Sequence, residues 1–314
     1  MNSMIQKSFV ETQALQNSSI DENYEKYKML MFKVYEVSVV NLWSEFEKNK
    51  FEPVLIKGWA AAMNYTKPFL RQIGDIDIAV NPKFYEKALH FKKELGEREV
   101  DLHKGLRHLD KLSWDNILAN SRMVDCDDKK IRVLRPEDHL RVLCVHWLTD
   151  GGIYKEKLWD IYYAVNNRSK DFDWNRFLNS VGEKRRSWLI CAIGIAHKYL
   201  GLKIDDTPIA TEAKKIPEWV IRTIEKEWQS EVKFKYLETS IKSKKEFFGQ
   251  LKKRFPPNPI QSTINMEGDF DNKPRFIYQI PDIFFRLIPS IKKFSKMIFT
   301  NHLKGEEEKN VDEK

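Results

Sequence analysis

Two aspartates separated by one residue stand in an otherwise apolar run, Ile73–Val80. Because side chains alternate across a strand, Asp75 and Asp77 should share one face about 6–7 Å apart, while Ile76 and Ile78 face a core. Like charges at this spacing disfavour each other's ionisation, so each acid prefers water or a cation. Hard divalent cations such as Mg²⁺ take carboxylate ligands, so the pair predicts a metal site. The alternative is a strand end at which both acids are simply hydrated.

Short strands and helices are predicted around this pair. Residues 53–105 are expected to alternate strand, helix, strand, helix, strand, as in a small α/β unit. The first strand ends at Gly58, and the second helix is expected to begin with Asn81 as N-cap and Pro82 in its first position. The third strand carries another acid, Asp101, which would join the pair if its strand lies beside theirs.

The rest of the chain is predicted to be mainly helical. A long helix is expected over Glu22–Lys48, and from Arg135 onward helical patterns follow one another without strand signals. The residues expected to form the buried face of the long helix are Tyr27, Leu30, Met31, Val34, Tyr35, Leu42 and Phe46. The expected divisions are an N-terminal helical segment (1–49), an α/β core (50–132), a helical domain (133–239), a basic C-terminal extension (240–303) and a disordered tail (304–314).

Composition and charge limit the class of protein. The chain has 314 residues, 42% of them hydrophobic, with a net charge of +8 and three cysteines. No secretory signal or apolar run of spanning length is visible, and the cysteines match no zinc or disulfide pattern, so we expect a cytoplasmic protein. The positive charge favours an anionic partner, because residues 241–255 hold six Lys/Arg and one Glu. Residues 284–299 are basic and aromatic, which suits an anionic membrane surface, but Pro281 and Pro289 argue against a long continuous amphipathic helix, so peripheral membrane contact is not expected.

The order of these motifs resembles that of the polymerase-β-like nucleotidyltransferase superfamily. There a strand ends in Gly, the next strand carries two acids one residue apart, and a third strand carries one more acid. The string IKGWAAAMNYTKPFLRQIGDIDIAV, followed by VDLH, is similar to a bacterial family of uncharacterised nucleotidyltransferases. The likeness spans roughly residues 50–260, and 57–103 carry its specific motifs. The implied fold is α+β, with a small polymerase-β-like core followed by a helical domain.

The resemblance implies a Mg²⁺-dependent transfer of NMP from an NTP to an acceptor hydroxyl. Two Mg²⁺ ions, with Mn²⁺ as a possible substitute, would be held by Asp75, Asp77 and Asp101. Asp101 would lie near the attacking hydroxyl as a ligand and possible base. The acceptor could be a small molecule, a protein side chain or an RNA 3′ end.

The resemblance also implies a set of phosphate-binding residues. Gly58 would let the backbone and the following helix N-terminus approach the triphosphate. Lys57 and Arg71 are candidate phosphate ligands, although Lys57 could be a surface lysine and Arg71 could only pair with Asp75 or Asp77.

Other positions carry two interpretations each. His103 shares a face with Asp101 and is either a site residue or a polar strand residue. Asp160 either faces the cleft or serves as a helix cap or core salt bridge, and His146 is interpreted as a core histidine rather than a ligand. Trp59 and Tyr65 could stack a base or belong to the core.

The residue after Gly58 is the main departure from the superfamily pattern. Many members have Ser there, with its hydroxyl on a phosphate, whereas Trp59 offers no hydroxyl. The second hypothesis is therefore a catalytically impaired nucleotide- or RNA-binding module with the same fold. The base preference, the pathway and the oligomeric state are left open by the sequence.

Overall fold

The computed structural model describes residues 22–96, 100–106, 112–232 and 244–286. Contacts divide the chain into two compact units, Met1–Ile216 and Pro217–Lys314. The domain boundaries expected near residues 50, 133 and 240 stay predictions. The N-terminal segment before residue 22, most of 284–299 and the tail 304–314 lie outside the described residues.

A five-stranded mixed sheet organises the first unit. Its strands are β1 (Val54–Leu55), β2 (Ile76–Val80), β3 (Val100–Lys104), β4 (Arg122–Cys126) and β5 (Lys129–Val133), in the order β3-β2-β1-β5-β4. β2 runs parallel to β3 and antiparallel to β1, and β1 runs parallel to β5. The prediction that the strands of the three acids are neighbours is confirmed for β2 and β3.

The β4–β5 hairpin was not predicted. Its strands pair antiparallel from Arg122↔Val133 to Cys126↔Lys129, and Asp127 in the turn has a positive φ of 56°. The two consecutive aspartates between short alternating runs are the signal that could have indicated this turn.

The mixed sheet together with the abundant helices fits an α+β nucleotidyltransferase core.

Helices surround the sheet and fill the rest of the first unit. They are α1 (Glu22–Lys48), α2 (Trp59–Ala62), α3 (Tyr85–Leu95), α4 (Trp114–Asn120), α5 (Pro136–Thr149), α6 (Leu158–Asn166), α7 (Trp174–Asn179), α8 (Glu183–Leu200) and α9 (Ala210–Ala213). The predicted helix at 22–48 and the helical run after residue 135 are confirmed. The predicted cap of α3 is wrong. Asn81 instead turns the chain ahead of the helix, where its side chain accepts a hydrogen bond from the Lys83 amide at 3.0 Å.

The two faces of β2 enter different cores. Ile76, Ile78 and Val80 pack with α1 and α3, whereas Ala79 packs with Val54, near α4 and α5. Asp77 alternates with the isoleucines and so lies on the Ala79 face. The predicted alternation therefore places the carboxylate on the side of the sheet that packs near α4 and α5.

The predicted buried face of α1 is wrong in the first half of the helix. Tyr27, Leu30, Met31 and Val34 are exposed, and the buried residues are Phe32, Tyr35, Val39, Val40, Leu42, Trp43 and Phe46. The helix is apolar on more than one side, so periodicity does not identify the side that packs on the sheet.

The second unit contains α10 (Glu218–Gln229), α11 (Lys244–Arg254), α12 (Pro259–Asn265) and a further helical stretch, 276–286. The Arg275 guanidinium lies over the Trp219 and Tyr278 rings, 4.6 and 5.0 Å from their centroids. Buried Asp282 accepts a hydrogen bond from Ser262 at 2.7 Å. Across the described part of the chain, each helix is too short or too polar to cross a bilayer.

Candidate active site

A cavity of about 670 Å³ opens beside the sheet in the first unit. One wall contains Gly58 and the three acids predicted from the sequence, Asp75, Asp77 and Asp101. The opposite wall comes from α5, α6 and the loop 150–157 between them. The α/β core and the helices that follow it therefore contribute jointly to one cavity.

Strand register brings two of the acids together. Asp77 and Asp101 are directly paired residues of the parallel strands β2 and β3. Paired residues of adjacent strands lie about 5 Å apart on one face, so the two carboxylates converge. His103, two positions further along β3, is on the same face. Its Nε2 lies 3.1 Å from Asp101 Oδ2 and 3.3 Å from Asp77 Oδ1.

The surroundings of these two acids favour their charged forms. The hydrogen bond from His103 lowers the pKa of Asp101 to about 2, although partial burial opposes the shift. Burial raises the pKa of Asp77, but the hydrogen bond from His103 and the Lys57 ammonium outweigh it, and the net pKa is lowered. Burial likewise lowers the pKa of His103, but its bonds to Asp101 and Asp77 prevail and raise it.

Lys57 lies inside the site rather than on the surface. Its Nζ is 2.7 Å from Asp77 Oδ1, and its side chain is 8% exposed. The interpretation as a surface lysine at a strand end is wrong. Asp77 therefore has two basic neighbours, Lys57 and His103, at the same carboxylate oxygen.

Gly58 holds the backbone close to both acids. Its φ is +56°, and a Cβ placed there would lie 2.6 Å from Tyr35 Oη and 3.1 Å from the Asp75 carbonyl oxygen. Only glycine fits this conformation and this space without strain. The helix after it, α2, has four residues, so it offers little dipole for a phosphate.

Asp75 lies just ahead of β2, which begins at Ile76, and it is exposed at the cavity. The strand geometry predicted for both acids thus holds for Asp77 alone. Tyr35 Oη donates to the Asp75 carbonyl at 3.3 Å and fixes this turn from α1. Burial raises the pKa of Tyr35 to about 12, so it remains a neutral donor.

Arg71 pairs with Asp160 rather than with Asp75 or Asp77. Its Nε and Nη2 each donate to a different oxygen of Asp160 at 2.9 Å, and Tyr65 Oη donates to the same carboxylate at 2.7 Å. Both interpretations of Asp160 apply, because it lines the cavity and forms a buried salt bridge. The bidentate edge of Arg71 is engaged by this carboxylate, which joins the segment before Asp75 to α6.

The opposite wall adds basic residues that the sequence did not single out. Lys155 and Lys157 line the cavity, and Lys157 Nζ lies 2.8 Å from Asp150 Oδ2. The segment DGGIYKEKL has the composition of an ordinary solvated loop, so nothing in the sequence indicated that these lysines would line a cavity. His146 also lines this wall, with its side chain 32% exposed, so its interpretation as a core histidine is wrong.

Of the two aromatic candidates for base stacking, Tyr65 lines the cavity and Trp59 does not. Trp59 is 1% exposed in the core, and its indole donates to Glu36 Oε1 at 3.1 Å, away from the cavity wall. Tyr65 lines the cavity, but its hydroxyl is held by Asp160 and its ring stacks 4.3 Å from that of Tyr163.

The site offers one cluster of potential metal ligands among the described residues. Oxygen atoms of Asp77 and Asp101 and a nitrogen of His103 all lie within 4.8 Å of one another. Two ionised carboxylates side by side suit a divalent cation, and the exposed Asp75 lies at the same cavity. The donor set therefore fits a divalent metal.

Comparison with known proteins gives one result. No curated protein and no solved structure matches the chain. A family model described as "Uncharacterised nucleotidyltransferase" covers residues 83–201. This range includes Asp101, His103 and Asp160, together with the basic loop 150–157, and it begins just after β2. From α3 through α8, the chain matches a family of uncharacterised nucleotidyltransferases.

Proposed function

We propose that this protein is a divalent-metal-dependent nucleotidyltransferase that moves NMP from an NTP to an acceptor hydroxyl. The observation that carries the proposal is the convergence of Asp77 and Asp101 on adjacent parallel strands, at a cavity shared with Asp75 and Lys57. The family match over residues 83–201 supports the same class of reaction.

Asp75, Asp77 and Asp101 would hold Mg²⁺ or Mn²⁺ at this cavity. When bound, such ions activate the attacking hydroxyl and stabilise the charge that develops on the leaving pyrophosphate. Asp101 would lie near the attacking hydroxyl as a metal ligand and possible base.

The cationic side chains of the cavity would bind the triphosphate. Lys57 is next to the acids, and Lys155 and Lys157 are on the opposite wall. These lysines would replace the hydroxyl that Trp59 lacks. Arg71 has its bidentate edge on Asp160, so its proposed role is to position the segment that leads to Asp75.

The alternative is a binding module that keeps the fold without catalysis. The observation that favours it is that Lys57 and His103 both contact Asp77 Oδ1, so metal binding must displace or rearrange these contacts. Such a protein would bind an NTP without transferring its nucleotide.

The chemical class of the acceptor is inferred only from the net charge of the protein. A net charge of +8 favours an anionic acceptor such as RNA over a neutral small molecule or a protein. The fold does not select among the three.

A labelling experiment tests the proposal. Purified protein would be incubated with Mg²⁺ or Mn²⁺, each α-labelled NTP in turn, and cell extract as the source of acceptors. We expect wild type to transfer label and Asp77→Asn and Asp75→Asn/Asp77→Asn to transfer none, with unchanged circular dichroism. Asp205→Asn, an exposed acid paired with Lys214, is the matched control and should transfer normally.

The labelled product identifies the acceptor as RNA, protein or small molecule by its sensitivity to ribonuclease or protease. Saturable NTP binding without transfer by wild type would favour the binding module. Transfer by Asp77→Asn would refute the assignment of the metal site.

A further inference from the structure

His103 is the one member of the metal-ligand cluster that is not an acid. Its Nε2 faces both carboxylates, at 3.1 Å from Asp101 Oδ2 and 3.3 Å from Asp77 Oδ1. β3 supplies Asp101 and His103 on one face, and β2 supplies Asp77 opposite Asp101. The imidazole is 31% exposed, so the site is open on this side.

These spacings are those of neighbouring ligands on one ion. Ligand atoms at adjacent corners of an octahedron with bonds of 2.0–2.1 Å are about 3 Å apart. The two contacts of His103 Nε2 are close to that value, and the three donor atoms lie within 4.8 Å of one another. The three side chains thus already converge on one place, and a bound cation would take the position at Asp77 Oδ1 that the Lys57 ammonium now contacts at 2.7 Å.

We propose that His103 is a metal ligand, and that its nitrogen makes this site prefer a first-row transition ion such as Mn²⁺ to Mg²⁺. Mg²⁺ is bound in proteins almost entirely through oxygen, whereas imidazole suits transition ions. A mixed site of two carboxylates and one imidazole therefore discriminates in favour of the softer ion. This inference rests on the metal-dependent transfer proposed above and specifies its metal.

The competing explanation is that His103 is only a counter-ion of the two acids. The two explanations predict opposite signs. Removing a ligand weakens metal binding, whereas removing a cation that neutralises Asp77 and Asp101 strengthens it. A single substitution therefore separates them.

The experiment measures Mn²⁺ binding by electron paramagnetic resonance, without nucleotide, and Mg²⁺ binding by its displacement of Mn²⁺. The variants are His103→Ala and His103→Gln, which replaces the nitrogen by an amide oxygen. The matched control is His90→Ala, an exposed histidine whose Nε2 lies 3.1 Å from Glu94 Oε1. Circular dichroism and thermal unfolding verify the fold of each.

We expect His103→Ala to bind Mn²⁺ at least about tenfold more weakly, because changes near a metal typically lower affinity by 10–100-fold. Its Mg²⁺ affinity should change much less, so the preference for Mn²⁺ is lost. His103→Gln should bind Mg²⁺ as well as wild type does and also lose the preference. His90→Ala should match wild type.

Unchanged or tighter Mn²⁺ binding by His103→Ala would overturn the inference, and so would an equal loss of both metals. Its failure is distinguishable from failure of the proposed function. Metal-dependent transfer that is insensitive to His103 would leave the function standing and the inference wrong. His103-dependent Mn²⁺ binding without transfer would do the reverse, and wild type that binds no Mn²⁺ would refute both.

Discussion

Replacing Gly58 by alanine tests whether this residue holds the acid-bearing turn in place. The added Cβ would meet Tyr35 Oη at 2.6 Å and the Asp75 carbonyl at 3.1 Å, with φ at +56°. With φ at 56° and ψ at −115°, Gly58 lies outside the αL region, in a conformation that favours glycine and costs another residue about 1–3 kcal/mol. Overpacking of a buried contact adds about 1–3 kcal/mol. We therefore expect Gly58→Ala to lower the free energy of unfolding by about 2–6 kcal/mol.

Two matched variants separate these contributions. Gly201 has a φ of 69° and a ψ of 25°, in the αL region, with nothing near the position of a Cβ. Gly201→Ala should therefore cost only the αL conformation, about 1–2 kcal/mol. Tyr35→Phe removes the oxygen that the Cβ meets, at the expense of the hydrogen bond to Asp75, about 0.5–1.5 kcal/mol. In that background Gly58→Ala should become less costly by about 1–3 kcal/mol.

The assay is urea-induced unfolding of the four single and double variants and wild type, followed by circular dichroism. A cost of Gly58→Ala no larger than that of Gly201→Ala would refute the close packing of Gly58. An equal cost of Gly58→Ala in the wild-type and Tyr35→Phe backgrounds would show that the tyrosine hydroxyl is not the obstacle.

Three further predictions follow from buried or cavity-lining groups. Asp160→Asn leaves the Arg71 guanidinium without its carboxylate and should cost about 3–5 kcal/mol in thermal or urea unfolding, whereas exposed Asp205→Asn should cause no measurable change. Burial lowers the pKa of His139 to about 4, below its unfolded value, so the unfolded state binds a proton that the native state does not. The free energy of unfolding should therefore fall as the pH drops from about 6.5 to about 4. In urea titrations at each pH, His139→Gln should reduce that fall by about 1–3 kcal/mol. A steeper fall in the variant would contradict the prediction. Lys155→Met should raise the KM for NTP more than it lowers kcat, and an unchanged KM would exclude this lysine from triphosphate binding.

Much of the candidate metal site was predictable from residue order. Alternation placed Ile76 and Ile78 in the core and Asp77 on the other face, and the strand at Val100–Lys104 brought Asp101 beside it. These predictions succeed because a strand has a period of two whatever surrounds it. Asp75 departs from the pattern because β2 begins one residue later, and strand ends are set by pairing rather than by composition.

The partners of these groups were not predictable. Arg71 bonds to Asp160, 89 positions away, instead of to the acids four and six positions ahead. The same holds for α1, whose apolar residues point in several directions and whose packed side depends on where the sheet lies. Lys155 and Lys157 reach the cavity only because the loop between α5 and α6 forms part of its wall.

The sequence by itself determined which residues could bind a metal and which face of β2 would carry Asp77, because those properties follow from side-chain chemistry and local backbone geometry. The tertiary structure decided which of them meet. Parallel pairing of β2 with β3 placed His103 between Asp77 and Asp101. Packing of α6 against the segment before β2 brought Asp160 into a salt bridge with Arg71. Such contacts depend on the path of the whole chain, since charged side chains are satisfied by whichever partner the fold brings within a few ångströms.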